Sequence, residues 1–146
     1  MCAVPRGRAT RWRPDWWRHS RRPWWPPMRE GGQPVPPAIL VISCGAPGLE
    51  DHVLAGIEEE GVPAVLARRS TDEDAHTLAR SAALESSLSV GVGIDGRGAV
   101  SVQHEQLAGP TAGLHAGPAV SSAAARTLGH NAARIVVGIP LRAVAP

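Results

Sequence analysis

Three consecutive carboxylates, Glu58, Glu59 and Glu60, stand near the end of a predicted helix. The negative end of a helix dipole opposes each of them by roughly 0.3–1 kcal/mol at the surface. Carboxylate oxygens are also the ligands that a hard cation such as Mg²⁺ prefers, and such an ion often takes only one or two of them from one chain. The two readings are therefore a solvated acidic helix end and a partial cation site.

The helix before these acids decides which of them reaches outward. At about 100° per residue, one apolar stripe faces the predicted core; it consists of Leu49, Val53, Leu54 and Ile57. Glu58 and Glu60 flank this stripe, whereas Glu59 lies nearly opposite it. We therefore expect Glu59 to extend away from its own domain, where it could complete a metal site on a neighbouring subunit.

A literal GxGxxG pattern is formed by Gly91, Gly93 and Gly96. A dinucleotide loop of this kind has to follow a strand and open a helix. Here the pattern is followed by residues 99–103 (AVSVQ), which alternate as a strand does. The sequence therefore predicts hairpin glycines and no dinucleotide site.

No other residues suggest catalysis. The chain contains no lysine, so a Walker-type phosphate loop is excluded, and GxSxG and HExxH are absent. Cys44 follows the first predicted strand and is interpreted as a small buried thiol. The histidines after the leader lack i, i+4 pairing. We expect no catalytic and no cofactor-binding residue in this chain.

The elements that would position Glu59 alternate between strand and helix. Residues 38–43 (AILVIS) form an apolar run typical of a strand buried on both faces. A helix over 49–60, stopped by Gly61, and a strand over 62–67 follow. Thr71 is expected to cap a second helix that reaches Leu84. Strands over 88–94 and 98–104, a loop over 105–118 with one short strand near 113–115, and a helix over 121–137 ended by Gly138 complete the chain. The fold class is α/β, a small Rossmann-like layered domain of order βαβαββα.

The first 37 residues differ in composition from the rest. They carry eight arginines against two acids and all five tryptophans, whereas residues 38–146 carry seven arginines against eleven acids. The many prolines block regular backbone hydrogen bonding. We predict a disordered leader over 1–37, followed by one domain over 38–146. Met28 is the only later methionine, so translation is expected to begin there.

Two blocks of sequence resemble the small subunits of diol/glycerol dehydratase reactivating factors: residues 54–63 (LAGIEEEGVP) and 129–142 (GHNAARIVVGIPLR). Residues 37–39 (PAI) and 89–95 (SVGVGID) extend the resemblance, which covers about residues 37–142. It implies a fold similar to that of a dehydratase medium subunit. The leader has no counterpart in it.

The resemblance also implies a function. The small subunits of this family pair with a large, actin-like ATPase subunit that binds ATP and ADP. The complex frees damaged cobalamin from inactivated B12-dependent diol or glycerol dehydratase, by exchange of subunits. The middle glutamate of the EEE block, here Glu59, is implied to contribute to a Mg²⁺ site shared with the large subunit. The expected location is the cytoplasm, and no nucleic acid or membrane partner is expected.

Two alternatives stay open at this point. The chain could be the medium subunit of the dehydratase itself, a structural component that contacts cobalamin. It could also bind nucleic acid or a membrane through the Arg/Trp leader, because such clusters stack on bases and bind anionic surfaces.

Overall fold

The computed structural model of the protein describes residues 36–145. The predicted leader, apart from exposed Pro36 and Pro37, and the predicted start at Met28 lie outside this part. The predicted order of strands and helices is confirmed. The elements are β1 (Ile39–Ser43), α1 (Pro47–Glu59), β2 (Ala64–Arg68), α2 (Ala75–Glu85), β3 (Val90–Ile94), β4 (Val100–His104), β5 (His115–Ala116) and α3 (Ser122–Val137).

The five strands form one mixed sheet in the order β2-β1-β3-β4-β5. β1 pairs in parallel with both β2 and β3, while β4 is antiparallel to β3 and to β5. α1 connects β1 to β2 on one side of it, and α2 connects β2 to β3 on the other side of β1. Because these two parallel connections run in opposite directions along the sheet and are both right-handed, the two helices lie on opposite faces. α2 covers one face, and α1 with α3 covers the other. The layered α/β fold predicted from the sequence is confirmed. None of the helices between residues 36 and 145 is long and apolar enough to cross a bilayer.

α2 approaches the sheet closely because two residues of β3 have no side chain. A Cβ on Gly91 would lie 2.2 Å from the Ala83 nitrogen, and a Cβ on Gly93 would lie 2.1 Å from the Ala75 carbonyl oxygen. The predicted hairpin is confirmed, because β3 and β4 pair antiparallel. Of the three glycines in the GxGxxG pattern, Gly91 and Gly93 lie in strand β3 and Gly96 lies in the turn.

α1 and α3 also cross with their backbones in contact. A Cβ on Gly56 would lie 2.1 Å from the Arg126 carbonyl oxygen, and one on Gly129 would lie 2.2 Å from the Val53 carbonyl oxygen. In a chain without Phe or Tyr, this contact lets small aliphatic side chains fill the core. Val53 and Ile57 are fully buried there, as the predicted apolar stripe requires.

The helix ends agree with the sequence in two cases and differ in one. Gly61 and Gly138 adopt left-handed backbone conformations just after α1 and α3, as C-terminal glycines do. The predicted cap of α2 at Thr71 is wrong. Asp74 caps this helix, because its Oδ1 accepts a hydrogen bond from the Thr77 N–H at 2.8 Å.

Candidate functional site

The three carboxylates singled out in the sequence have different environments at the end of α1. Glu58 is exposed and makes no ion pair within residues 36–145. The Glu59 side chain is 41% exposed, whereas that of Glu60 is only 12% exposed. Glu60 caps the helix and Gly61 turns the chain away. Glu59 is therefore the half-accessible member of the block.

Glu59 does not extend freely away from its domain. Arg126 on α3 donates to both of its carboxylate oxygens, and Nε2 of His130 lies 2.9 Å from Oε2. The predicted orientation is wrong in this respect. The helical wheel assumed one core direction, but α1 packs sideways on α3 through Gly56 as well as on the sheet, so Glu59 faces α3.

Glu60 also contacts α3, one turn closer to the C-terminal end of that helix than Glu59 does. Nε of Arg134 donates to Oε1 at 2.9 Å, His130 Nδ1 lies 2.9 Å from the same oxygen, and Arg142 Nη2 lies 3.5 Å away. The Arg134 guanidinium holds the pKa of Glu60 below its usual range, with a further contribution from His130. Glu60 is therefore a carboxylate that stays ionised and joins α1 to α3 and to the segment after α3.

His130 lies between the two carboxylates and is 8% exposed. Both of its ring nitrogens are within hydrogen-bond distance of a carboxylate oxygen, and both can donate only when the imidazole is protonated. His130 therefore bridges Glu59 and Glu60. The search for i, i+4 histidine pairs missed this residue. The spacing of Arg126, His130 and Arg134, four residues apart on one helix face, was the signal that could have found it.

We refer to these side chains together as the ionic cluster, which consists of Glu59, Glu60, Arg126, His130, Arg134 and Arg142. It lies along the outer side of the α1–α3 contact and includes positions from both sequence blocks that carry the resemblance. Within residues 36–145 no group of three or more His, Cys, Asp or Glu side chains could hold a metal ion. A cation bound at the EEE block would therefore need further ligands from outside this part of the chain.

Asn131, in the second block, is fully buried and fixes the chain that follows α3. Its Nδ2 donates to the carbonyl oxygens of Gly113 and Arg142 at 2.8 and 2.9 Å, and its Oδ1 accepts from the Arg142 N–H at 2.7 Å. One side chain therefore holds a loop and the C-terminal segment in place. No pattern in the sequence indicated this buried polar role.

The crevice at the carboxyl ends of β1 and β3, where the strand order reverses, is the usual ligand position in open α/β sheets. At the same edge of the sheet a buried carboxylate, Glu50, lies in the first turn of α1, and it accepts a hydrogen bond at 2.7 Å from Nη2 of Arg68 at the end of β2. The Arg68 hydrogen bond holds the pKa of Glu50 below its usual range. The Glu50 carboxylate thus lies at the positive N-terminal end of α1, where the helix dipole would otherwise favour an external anion. Cys44 nearby is partly exposed, not buried as expected.

Comparison of the chain with known proteins identifies its family. A family model described as dehydratase medium subunit matches residues 36–142. The propanediol dehydratase-reactivating factor small subunit of Citrobacter freundii is 33% identical over 113 residues, which cover 77% of this chain and 96% of that protein. The diol dehydratase-reactivating factor small subunit of Klebsiella michiganensis is 36% identical over 112 residues, covering 77% and 88%. The chain belongs to the family of dehydratase-reactivating factor small subunits.

Solved structures agree with this assignment. A chain of a glycerol dehydratase reactivase superposes with a TM-score of 0.69 at 30% identity, covering 75% of this chain and 100% of that one. A chain of the diol dehydratase-reactivating factor complexed with ADP and Mg²⁺ superposes with a TM-score of 0.64 at 36% identity, covering 74% and 99%. The family resemblance and the fold predicted from the sequence are therefore confirmed. The ionic cluster lies in the domain that has this small-subunit fold.

Proposed function

We propose that this chain is the small subunit of an ATP-dependent reactivating factor that releases damaged cobalamin from B12-dependent diol or glycerol dehydratase. One observation carries the proposal: residues 36–142 match the dehydratase medium-subunit family, and the same chain aligns over 113 residues with a reactivating-factor small subunit. A domain with the fold of a medium subunit can compete for the place of that subunit. Its binding then favours an open form of the dehydratase through differential affinity for two states.

ATP hydrolysis is assigned to a large partner subunit. Two features of the described chain support this assignment. Gly91 and Gly93 of the GxGxxG pattern are packing positions beneath α2, and the Glu50 carboxylate lies in the first turn of α1, where it pairs with Arg68. A relative was solved in complex with ADP and Mg²⁺, so nucleotide belongs to the same kind of assembly. We expect the complex to act in the cytoplasm, where ATP is available.

Glu59 is proposed to supply one carboxylate to a Mg²⁺ ion shared with the large subunit. The residues present fit this role in part, because Glu59 is half-exposed and Mg²⁺ takes one or two carboxylates with other ligands from elsewhere. Its oxygens are engaged by Arg126 and His130. Binding of a cation there requires that at least one of these contacts is released, while Glu60 keeps its three partners and holds the helix end.

Assembly with the large subunit tests the metal role. Glu59→Gln keeps the size of the side chain but removes its charge, and we expect weaker association with the large subunit in Mg²⁺ together with less bound metal. Glu58→Gln is the matched control, because Glu58 is the exposed neighbour and has no ion pair with any residue between 36 and 145. Unchanged affinity and metal content in Glu59→Gln would refute the assignment of this ligand.

Cobalamin release tests the function itself. The purified complex of this chain and its large subunit is incubated with inactivated dehydratase, ATP and Mg²⁺, and free cobalamin is measured after filtration. Release that depends on both the chain and ATP is the expected result. If the chain instead co-purifies with a dehydratase that retains cobalamin, it is the medium subunit of that enzyme, which the name of the matching family model would also accommodate.

A further inference from the structure

Large apolar side chains are concentrated on the surface at the end of α3. Among the described residues, three of the five exposed large hydrophobic side chains lie within five positions of each other. Val137 is 49% exposed, Ile139 42% and Leu141 40%. We call these three residues the tail patch. Single exposed apolar residues need no explanation, but several on one short, ordered segment favour an interaction surface.

The fold holds the tail patch in this exposed position. The N–H groups of Gly138 and Ile139 donate to the Arg134 carbonyl oxygen at 2.9 and 3.1 Å. Nη1 of Arg134 donates to the Pro140 carbonyl oxygen at 2.8 Å, and Asn131 binds both the N–H and the carbonyl of Arg142. Since the backbone is already ordered, a partner that covers these side chains has little conformational entropy to remove.

The tail patch is continuous with the ionic cluster. Arg134 binds Glu60 through Nε and Pro140 through Nη1, so one guanidinium lies between the two surfaces. Arg142, the residue after Leu141, lies 3.5 Å from Glu60. An apolar centre bordered by charged and hydrogen-bonding groups of both signs is the usual composition of a protein–protein interface.

We propose that the tail patch and the adjoining ionic cluster together form the surface that docks onto the large subunit, with Ile139 and Leu141 as its apolar anchors. This inference rests on the proposed function, because it names the surface through which that partner is bound. A stable interface covers about 800 Å² per partner, which three half-exposed side chains alone do not provide. A partner that reaches Glu59 at the far end of the cluster extends along the same side of the domain and covers the patch as well.

The test compares two equally exposed leucines. Leu141 in the patch and Leu84 on α2, across the sheet, are each 40% exposed. In the full-length chain, Ile139→Ser combined with Leu141→Ser is expected to raise the Kd for the cognate large subunit at least about tenfold, as loss of interface anchors does. Leu84→Ser is expected to leave it within about twofold. Affinity is measured by calorimetry, and thermal unfolding of each variant checks that it is folded.

A second pair of variants, Ile139→Gln and Leu141→Gln, keeps the side-chain length and repeats the comparison if the double variant is unstable. Unchanged affinity in folded patch variants, or an equal loss in Leu84→Ser, would overturn the inference and leave the proposed function standing. Sedimentation velocity of the chain alone tests whether the tail patch binds a second copy of the chain instead. Self-association that the patch variants abolish would assign the patch to a second copy. Absence of any complex between the unaltered chain and the large subunit would overturn both proposals.

Discussion

The two helical layers of this domain solve the same packing problem in different ways. On one face of the sheet, α2 lies against β3 with Gly91 and Gly93 beneath its backbone. On the other face, α1 and α3 touch each other at Gly56 and Gly129. Both layers achieve close contact by omitting side chains, which suits a core without Phe or Tyr.

The layers differ in what lies outside the close contact. The rim of α2 carries one exposed ion pair, between Arg69 and Glu85. The α1–α3 layer carries the ionic cluster, the buried amide of Asn131 and the tail patch. Tight packing is therefore common to both layers, whereas groups that could exchange one partner for another occur on the α1–α3 side. This difference indicates which side of the domain serves assembly.

The largest effects are expected where backbones touch. Gly56→Ala and Gly93→Ala each place a Cβ 2.1 Å from a carbonyl oxygen of a neighbouring helix, so a helix has to move. Each is expected to lower the free energy of unfolding by about 3 kcal/mol or more, measured by urea denaturation. Gly48→Ala, whose Cβ meets nothing within 4 Å, is the control and should change stability by less than about 1 kcal/mol. If Gly93→Ala lowered the free energy of unfolding only slightly while Gly56→Ala lowered it strongly, α2 would be packed on β3 less closely than α1 is packed on α3.

An intermediate effect is expected for the buried amide of the α1–α3 layer. Asn131→Ala leaves the Gly113 and Arg142 carbonyls without their donor, at a cost of about 2–3 kcal/mol. Amide hydrogen exchange of the Arg142 N–H should also become faster, because the acceptor that holds it is removed. Thr127→Ala, a change on the same helix that removes only a hydroxyl bonded to the Ala123 carbonyl, should alter neither quantity appreciably. Unchanged exchange at Arg142 would contradict the role of Asn131 in holding the tail.

The smallest effect concerns the ion pairs of the two layers. Glu50→Gln removes a buried carboxylate from α1 and should cost about 1–3 kcal/mol at pH 7. Glu85→Gln removes an exposed one from α2 and should cost less than about 1 kcal/mol. Because Arg68 lowers the pKa of Glu50 in the folded state, the stabilisation is present above the ordinary glutamate pKa and is lost as the pH falls through the lowered value.

Urea denaturation at a series of pH values checks this sign. The stabilities of the unaltered chain and of Glu50→Gln should converge as the pH is lowered from about 5 to about 3. A difference that stays constant over this range would mean that the carboxylate acts through its shape and not through its charge.

Local sequence signals were sufficient for most of the fold. The apolar run over 38–43, the glycines at 61 and 138, and the Asp95-Gly96 turn each depend on residues close together in the chain. Such signals predict strands and helix ends well, because the physics that produces them is local. The cap of α2 was misassigned because Thr71 and Asp74 are both good capping residues, and the packing of the helix on β3 favours the later start.

The candidate site was predicted in part. The EEE block and residues 129–142 were both recognised. Glu59 is more exposed than Glu60, as expected, but Glu58, which was expected to flank the core, is exposed as well. Its partners Arg126 and His130 lie about 70 positions later in the chain. No periodicity within one helix could show that another helix crosses it at Gly56.

The sequence by itself determined the order of strands and helices, the aliphatic core and the membership of a family, because each of these depends on local patterns or on similarity along the chain. Only the tertiary structure decided which way the carboxylates face, which glycines are packing positions and which apolar residues remain on the surface. These properties depend on contacts between segments far apart in sequence, and a helix has no single outward direction until its neighbours are in place.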